Sequence, residues 1–243
     1  GNTIINNQST GAVTDFITAA DSIEFKGGTL HVKETGVSIA TSNGAVTINS
    51  IDGDHDETVT IAAGSGAVSV GRIGGTNASG EGIKSVAITS SHATGITLTG
   101  NITTSDTADS DVTLTGKVVI DGDVDIDTSA GTDGDITFTS TIVGADGTND
   151  DLILDTGGGA LTFHATTTIG AGDSPLSTLD IAQGGGTVAL TIPQIGDASD
   201  DGVSGVVRIG TSSSTSVTMR DQTYRFGTGN VTITADTTGT IFS

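Results

Sequence analysis

The sequence predicts an all-β protein and, within that class, a parallel β-solenoid (β-helix). Short runs that alternate apolar residues with Thr, Ser or Ala recur along the chain, as in "AVTINS" from Ala45, "DVTLTG" from Asp111 and "NVTITA" from Asn230. Such alternation is typical of half-buried strands, and clusters of Gly, Asp, Asn and Ser between the runs indicate turns. No segment has a convincing helical period, so we expect strands and turns throughout.

The composition favours a thin, elongated core over a thick globular one. Hydrophobic residues make up 34% of the 243 residues and aromatic residues only 3%, with no Trp, two Pro and 37 Gly. A core of this kind must be built from Val, Ile, Leu and Ala, with glycine supplying sharp corners. These are the features of a solenoid whose coils contain roughly 20 to 30 residues each.

A longer internal repeat leaves a second architecture open. The segment "ETVTIAAGSGAVSV" from Glu57 aligns without gaps on "DDLILDTGGGALTF" from Asp150. Internal repeats indicate an array of stacked units. Duplication of an antiparallel β-sandwich domain of about 90 to 100 residues would also produce such a repeat, so tandem sandwiches are the alternative fold.

The repeat pattern divides the chain into three parts. Residues 1–41 contain two Phe and a local excess of Lys, and we interpret them as an N-terminal cap or docking segment. Residues 42–215 form the repetitive solenoid body. Residues 216–243 contain the only Tyr together with two Arg and two Phe, and we interpret them as a C-terminal cap or joining segment, because terminal repeats that depart from the pattern usually cap an array.

The charge distribution excludes some partners and favours a location. The net charge is −21, and the stretch from Gly100 to Asp201 contains 18 Asp and no Glu against one base, Lys117. Such a surface repels nucleic acid and suits an extracellular or cell-surface protein, where salt and divalent cations screen it. No apolar stretch is long enough to span a membrane. The opening "GNTIINNQST" has neither an initiator Met nor a signal sequence, so we interpret the chain as a processed product or a segment of a longer chain.

The stretch "KVVIDGDVDIDTSAGTDGDITF" concentrates the candidate metal ligands. If Val124 and Ile126 face inward, alternation directs the aspartates of the stretch outward as a row, formed by Asp121, Asp123, Asp125 and Asp127. An EF-hand counted from the first of these needs Gly and Glu where the chain has Ile126 and Thr132. We interpret the row as a solvated acidic face, and a dedicated calcium site on the same four residues is the alternative; either is compatible with diffuse, weak binding of calcium.

The sequence gives no sign of catalysis, and we predict that the protein is not an enzyme and needs no other cofactor. Carboxylates are so frequent that no pair of them indicates a glycosidase. The chain has no Cys and no G-x-S-x-G motif, and the cations that a lyase would need, Arg208, Arg220 and Arg225, are scattered among turns.

One segment resembles a known family. The run "GDVDIDTSAGTDGDITFTSTIVGADGTNDDLILDTGGGALTFHATTTIGAGDSPLSTLDIAQGGG", residues 122–186, is similar to the repeats of giant secreted bacterial surface proteins, the filamentous-haemagglutinin-like adhesins. The resemblance implies a parallel β-helical shaft, export to the cell surface, and adhesion or scaffolding in place of catalysis. Members of that family also have an export module near the amino end, which nothing in this sequence matches.

From these observations we expect a structural or adhesive shaft, or a filament-forming segment, of a secreted bacterial surface protein. Its expected partners are copies of itself or neighbouring segments of a parent chain, and surface glycans. The alternative function is a polysaccharide-binding or polysaccharide-cleaving β-helix. One Tyr and no Trp leave few aromatic rings to line a glycan groove, which argues against that alternative.

Overall fold

The chain folds as a β-solenoid of about eight turns, and no described residue is helical. The structure is a computed structural model that describes residues 3–6, 13–33, 35–54, 56–75, 82–105, 107–130, 134–146, 149–172, 174–183, 189–220, 222–235 and 240–241. All strand pairs in these ranges are parallel, which confirms the predicted parallel β-solenoid and excludes tandem antiparallel sandwiches.

Twenty-five strands make up the described chain. The first twelve are β1 (Thr3–Asn6), β2 (Thr14–Thr18), β3 (Ile23–Lys33), β4 (Gly36–Thr41), β5 (Val46–Gly53), β6 (Glu57–Ala62), β7 (Val68–Gly74), β8 (Ile83–Thr89), β9 (Ile96–Leu98), β10 (Ile102–Thr103), β11 (Val112–Thr115) and β12 (Val118–Ile120). The others are β13 (Asp123–Asp127), β14 (Ile136–Phe138), β15 (Ile142–Gly144), β16 (Asp151–Gly157), β17 (Leu161–Phe163), β18 (Thr168–Ile169), β19 (Thr178–Gln183), β20 (Leu190–Ile192), β21 (Gln194–Ile195), β22 (Val207–Ile209), β23 (Ser216–Met219), β24 (Val231–Ile233) and β25 (Thr240–Ile241).

Each turn of the solenoid contributes to three faces. Face 1 contains β9, β12, β15, β18 and β21, and face 2 contains β10, β13, β16, β19, β22 and β24. The long strands β3, β5 and β7 serve both of these faces, since one half of β7 pairs with β9 and the other half with β10. Face 3 contains β2, β4, β6, β8, β11, β14 and β17, and β20 of a three-stranded sheet with β23 and β25 lies next to it.

The spacing of paired positions agrees with the predicted turn of roughly 20 to 30 residues. Leu30 pairs with Ile51 on the next turn, and Ile73 pairs with Ile102. One inward residue from each turn stacks on the next to form a continuous aliphatic core. On face 3 this column consists of Val37, Val59, Val86, Val112, Ile136 and Leu161, all of them buried.

Glycine and buried polar groups form the corners. The buried hydroxyl groups of Thr41, Thr128 and Thr156 donate to the carbonyl oxygens of Gly44, Gly134 and Gly159, at 2.5, 2.6 and 3.0 Å. Buried carboxylates accept hydrogen bonds from other backbone N–H groups in the turns. Oε2 of Glu57 accepts from the backbone N–H of Asp54 at 3.0 Å, and the carboxylate of Asp150 accepts from those of Gly122 and Asp146 at 3.2 and 3.1 Å. Hydrogen bonds from these buried side chains thus stabilise the corners, where few apolar contacts are available.

The long internal repeat does not mark a duplicated domain. The two aligned segments begin with β6 on face 3 and with β16 on face 2, so they occupy different faces of the solenoid. Strands and turns of similar sequence occur on every face, which is why the segments align. The cap roles of residues 1–41 and 216–243 remain predictions, although β2 to β4 and β23 to β25 join the same stacks as the body. Within the described ranges, no helix is long and apolar enough to cross a membrane.

Candidate functional site

The most distinctive surface lies on the outside of face 2. Along β13 the residues alternate as predicted: Val124 and Ile126 are buried, Asp123 is exposed, and Asp125 and Asp127 are half-buried. Asp121, the remaining member of the predicted row, lies at the corner between β12 and β13. The next residue there, Gly122, has a φ of 102°, so the chain bends before the row begins.

A second acidic strand lies directly beside the first. Asp123 pairs in register with Asp151, and Asp127 pairs with Asp155, both on β16. Neighbouring strands are about 4.8 Å apart, so these carboxylates form like-charged pairs on one surface. We call this surface the acidic face and define it as Asp123, Asp125, Asp127, Asp151 and Asp155.

Sequence reasoning missed the two aspartates of β16. A signal for them exists: "DVDID" from Asp123 and "DLILD" from Asp151 share an Asp at the first and fifth positions. The separation of the two segments is within the range of one turn, but the length of a turn differs along the chain. The stacking therefore emerges only from the register of the strands.

The acidic face includes a shallow pocket of about 270 Å³. Its lining includes Asn101, Asp123, Asp125, Asp151 and the exposed side chain of Ile153. The carboxylate atoms Oδ1 of Asp125 and Oδ1 of Asp151 are shielded from solvent and accept no hydrogen bond from the described residues. Each of these two oxygen atoms is thus buried without a hydrogen-bond partner among the described residues.

The other members of the acidic face are better satisfied. Oδ1 of Asp127 accepts from the backbone N–H and the hydroxyl of Ser129, at 2.9 and 2.7 Å, and Oδ1 of Asp155 accepts from the backbone N–H of Gly157 at 2.9 Å. On the next strands, the guanidinium of Arg208 lies 3.2 Å from the Asp180 carboxylate. On the acidic face, the buried carboxylate oxygens without a hydrogen-bond partner among the described residues are therefore those of Asp125 and Asp151.

Burial raises the pKa of Asp125 above its ordinary value, and the negative charges of Asp127 and Asp155 raise it further. A carboxyl group whose pKa is higher in the folded than in the unfolded state binds more protons when folded. The contribution of Asp125 to the free energy of unfolding therefore falls as the pH rises through this raised pKa.

Carboxylate oxygens are the ligands that calcium prefers, and a bound cation would relieve the repulsion on this face. In the part of the chain that the structure describes, however, no three His, Cys, Asp or Glu side chains are grouped closely enough to hold a metal ion. A calcium site formed by Asp121, Asp123, Asp125 and Asp127 therefore stays a prediction. Diffuse attraction of cations by the acidic face is the second, less specific prediction for the same residues.

Replacing Asp121, Asp123, Asp125 and Asp127 together by Asn should leave the melting temperature unchanged or raise it by about a degree or two, with or without millimolar calcium. The substitutions remove like-charge pairs and the half-buried carboxyl group of Asp125, and exposed charges contribute little individually. Thermal denaturation followed by circular dichroism measures the effect.

The matched control is Asp197→Asn at a corner of the solenoid. Backbone hydrogen bonds from Ser199 and Asp200, with the Ser199 hydroxyl, lower the pKa of Asp197 to about 2, so its negative charge is favourable where it stands. This variant should be slightly destabilised at neutral pH, independently of calcium. A large loss of stability in the fourfold variant that occurs only with calcium would instead establish a structural ion site.

In comparisons with known proteins, no protein-family model, no curated protein and no solved structure matches the chain. The class is therefore defined by the geometry alone, as a parallel β-solenoid repeat protein with an acidic face.

Proposed function

We propose that the chain is a structural shaft segment of a secreted bacterial surface protein, which serves adhesion or scaffolding by forming a stiff filament. The observation that supports this proposal is the continuity of the solenoid. The buried core extends from Leu30 to Val217, and each turn pairs with the next on several faces.

A ladder of this kind resists bending and extension. Backbone hydrogen bonds in a parallel sheet lie across the strands, so in a solenoid they run along the long axis. Each turn contacts mainly its two neighbours. Separating two adjacent turns would therefore break the strand pairing between them on all three faces and expose the inward side chains of both turns. The pairing of successive turns is therefore sufficient to make the shaft resistant to bending and extension.

The acidic face suits the same role outside the cell. A net charge of −21 keeps individual shafts soluble and apart, and salt or divalent cations screen it. We assign the protein to the cell surface on this ground and on the resemblance of residues 122–186 to surface adhesins.

The two ends of the solenoid are suited to axial joining. At the amino end, the half-buried rings of Phe16 and Phe25 meet edge to face at 5.2 Å beside the core. At the carboxyl end, Val231 of β24 is 42% exposed. Apolar area at a terminal turn, with backbone groups available for pairing, favours addition of another parallel strand.

The bases near the ends are already engaged within the chain. Lys26 lies 3.0 Å from Glu24 and Lys33 lies 2.6 Å from Asp54. Arg220 donates to the carbonyl oxygens of Phe163, His164 and Ala165 at 2.6 to 3.2 Å. Attraction between basic ends and acidic middles is therefore weakened, and axial joining should depend on apolar contact and backbone pairing. Phe242, which the sequence assigned to the joining surface, lies outside the described residues.

Electron microscopy of the purified protein should show filaments or elongated oligomers at low salt and at about 1 M salt. Axial contacts made by apolar area and backbone pairing survive high salt, where the screening length is about 3 Å, whereas attraction between opposite charges fades. Single compact particles in both conditions would count decisively against the filament proposal.

A second candidate, a polysaccharide-cleaving β-helix, has one observation in its favour. Asp125 has a raised pKa and shares a pocket with Asp123 and Asp151, and an acid with a raised pKa beside a second carboxylate is what glycoside hydrolysis requires. The aromatic groups give it no support, because Phe138 and Phe163 are buried and the hydroxyl of Tyr224 bonds to the carbonyl oxygens of Ile192 and Arg220. Release of reducing ends from acidic polysaccharides by the protein, and not by Asp125→Asn, would favour this candidate.

A further inference from the structure

Among the described strands, the sheet of face 3 is interrupted between β17 and β20. Strand pairing is continuous from β2 to β17, but β20, which lies next to β17, belongs to a separate sheet with β23 and β25. At the same level, face 1 continues through the pairing of β18 with β21, and face 2 through that of β16 with β19. The interruption is therefore confined to one side of the solenoid. We call the boundary between β17 and β20 the seam.

A proline removes a hydrogen-bond donor at the seam. On other turns of this face, the residue after the strand donates its backbone N–H to the carbonyl oxygen of a buried residue at the end of the preceding strand. The donors and acceptors are Thr139 and Leu114, His164 and Phe138, and Arg220 and Ile192, at 3.1, 2.9 and 3.4 Å. The residue after β20 is Pro193, which has no N–H. The carbonyl oxygen of Phe163 on β17 therefore receives no bond of this kind.

The side chain of Arg220 supplies the missing donor. Its Nη2 donates to the carbonyl oxygen of Phe163 at 2.6 Å, and its Nη1 donates to those of His164 and Ala165 at 2.9 and 3.2 Å. The guanidinium thus reaches past β20 from the end of β23 and binds the corner after β17. A planar group with five N–H donors in fixed directions suits several neighbouring acceptors, which a lysine ammonium does not match.

The backbone of Arg220 is fixed on the far side of the seam. Its carbonyl oxygen accepts from the backbone N–H of Gln222 at 2.7 Å, and the hydroxyl of Tyr224 bonds to the carbonyl oxygens of Arg220 and Ile192. Since β23 also pairs in register with β20, these residues form one unit with β20. On face 3, the guanidinium joins that unit to β17. Arg220 is half-buried, so water competes for its bonds more easily than for those inside a sheet.

We propose that the seam is a hinge that Arg220 holds closed. When the guanidinium releases the corner after β17, the unit that begins at β20 moves away from face 3, and the paired strands of faces 1 and 2 keep the two parts joined. Opening exposes buried side chains such as Phe163 and Ile192, so the closed state is favoured. The inference rests on the proposed function for its consequence: a shaft under load bends first at this level.

Native-state hydrogen exchange measures the opening at β17 and β20. Arg220→Ala should speed exchange at these two strands about tenfold, because hydrogen bonds from a charged group are stronger than neutral ones, and should leave β4 and β6 within about twofold. The matched control is Arg208→Ala, which removes the same charge from face 2, where the guanidinium lies 3.2 Å from Asp180. The control should leave exchange at β17 and β20 within about twofold of the unmodified chain.

Pro193→Ala tests whether the arginine replaces the missing donor. Alanine provides the N–H that the other turns have, and it can adopt the φ of the proline. Arg220→Ala should then speed exchange at β17 and β20 by less than about threefold in the Pro193→Ala background, against about tenfold in the unmodified chain. A double-mutant cycle measures this coupling. An equal effect of Arg220→Ala in both backgrounds, or no effect in either, would overturn the inference.

Thiol labelling gives an independent readout, because the chain contains no cysteine. Ile192→Cys and Ile136→Cys each place one thiol at a fully buried position of face 3, the first at the seam and the second within the continuous sheet. The thiol at the seam should react with a small reagent at least about tenfold faster, and faster again with Arg220→Ala. Equal labelling rates would overturn the hinge whether or not filaments form. Because every measurement uses single chains, an absence of filaments would overturn the proposed function alone.

Discussion

Replacing Gly66 by alanine is expected to lower the free energy of unfolding by at least about 3 kcal/mol. A Cβ atom at this corner would lie 2.0 Å from the carbonyl oxygen of Gly44 and 2.5 Å from its carbonyl carbon, both on the turn below. Both obstructing atoms belong to the backbone, so no side chain can move aside. The clash can be relieved only by separating the two turns, next to the point where Val46 and Val68 pair.

Urea denaturation followed by circular dichroism measures this loss, and Gly172→Ala is the control. Gly172 has a φ of 78°, but a Cβ there would have no atom within 4 Å, so only backbone strain of about 1 to 2 kcal/mol opposes the substitution. Gly66 has no such φ, so the pair of variants separates crowding between turns from conformational strain. Equal losses would mean that turns do not approach as closely as the glycine corners indicate.

Alternation was sufficient to predict the class of fold. The inward assignment of Val124 and Ile126 is confirmed, because both are buried. A period of two residues is a local property of the chain, and the excess of glycine and the lack of Trp are properties of its composition, so both can be read without knowing which strands pair.

The division into three faces could not be predicted in the same way. Strands on different faces have nearly the same pattern, as the alignment of Glu57 onto Asp150 illustrates, so sequence similarity does not say which strand stacks on which. Register depends on the residues in each corner, and the length of a turn varies along the chain. Residues that bond to the turns, such as the buried carboxylates of Glu57 and Asp150, resemble surface residues when only the sequence is known.

Only part of the acidic face could be predicted from the sequence, again because register is not visible there. The outward direction of Asp123, Asp125 and Asp127 follows from alternation along one strand. The pairing of Asp123 with Asp151 and of Asp127 with Asp155 requires the register between two turns, and the oxygens without a partner, Oδ1 of Asp125 and Oδ1 of Asp151, lie on these two adjacent strands. Asp121 departs from the row because Gly122 bends the chain at the corner, an effect that a strict period of two ignores.

Replacing Phe138 by alanine is expected to reduce the free energy of unfolding by about 3 to 5 kcal/mol. Phe138 is fully buried on face 3, and its ring stacks on that of Phe163 of the next turn at 5.7 Å with an angle of 13° between the rings. Truncation removes both the burial of the ring and this contact, and the surrounding turns are too regular to collapse into the cavity. Urea denaturation again gives the magnitude.

The location of the loss distinguishes a solenoid from a globular core. Each turn contacts mainly its neighbours, so the damage from Phe138→Ala should remain near β11, β14 and β17 and leave the early turns protected. Native-state hydrogen exchange should therefore show faster exchange at those strands and little change at β4 and β6. Ile153→Ala is the control, since that side chain is 40% exposed and its truncation should change stability by no more than about 0.5 kcal/mol. Uniformly faster exchange along the whole chain would contradict the one-dimensional stacking on which the proposed shaft depends.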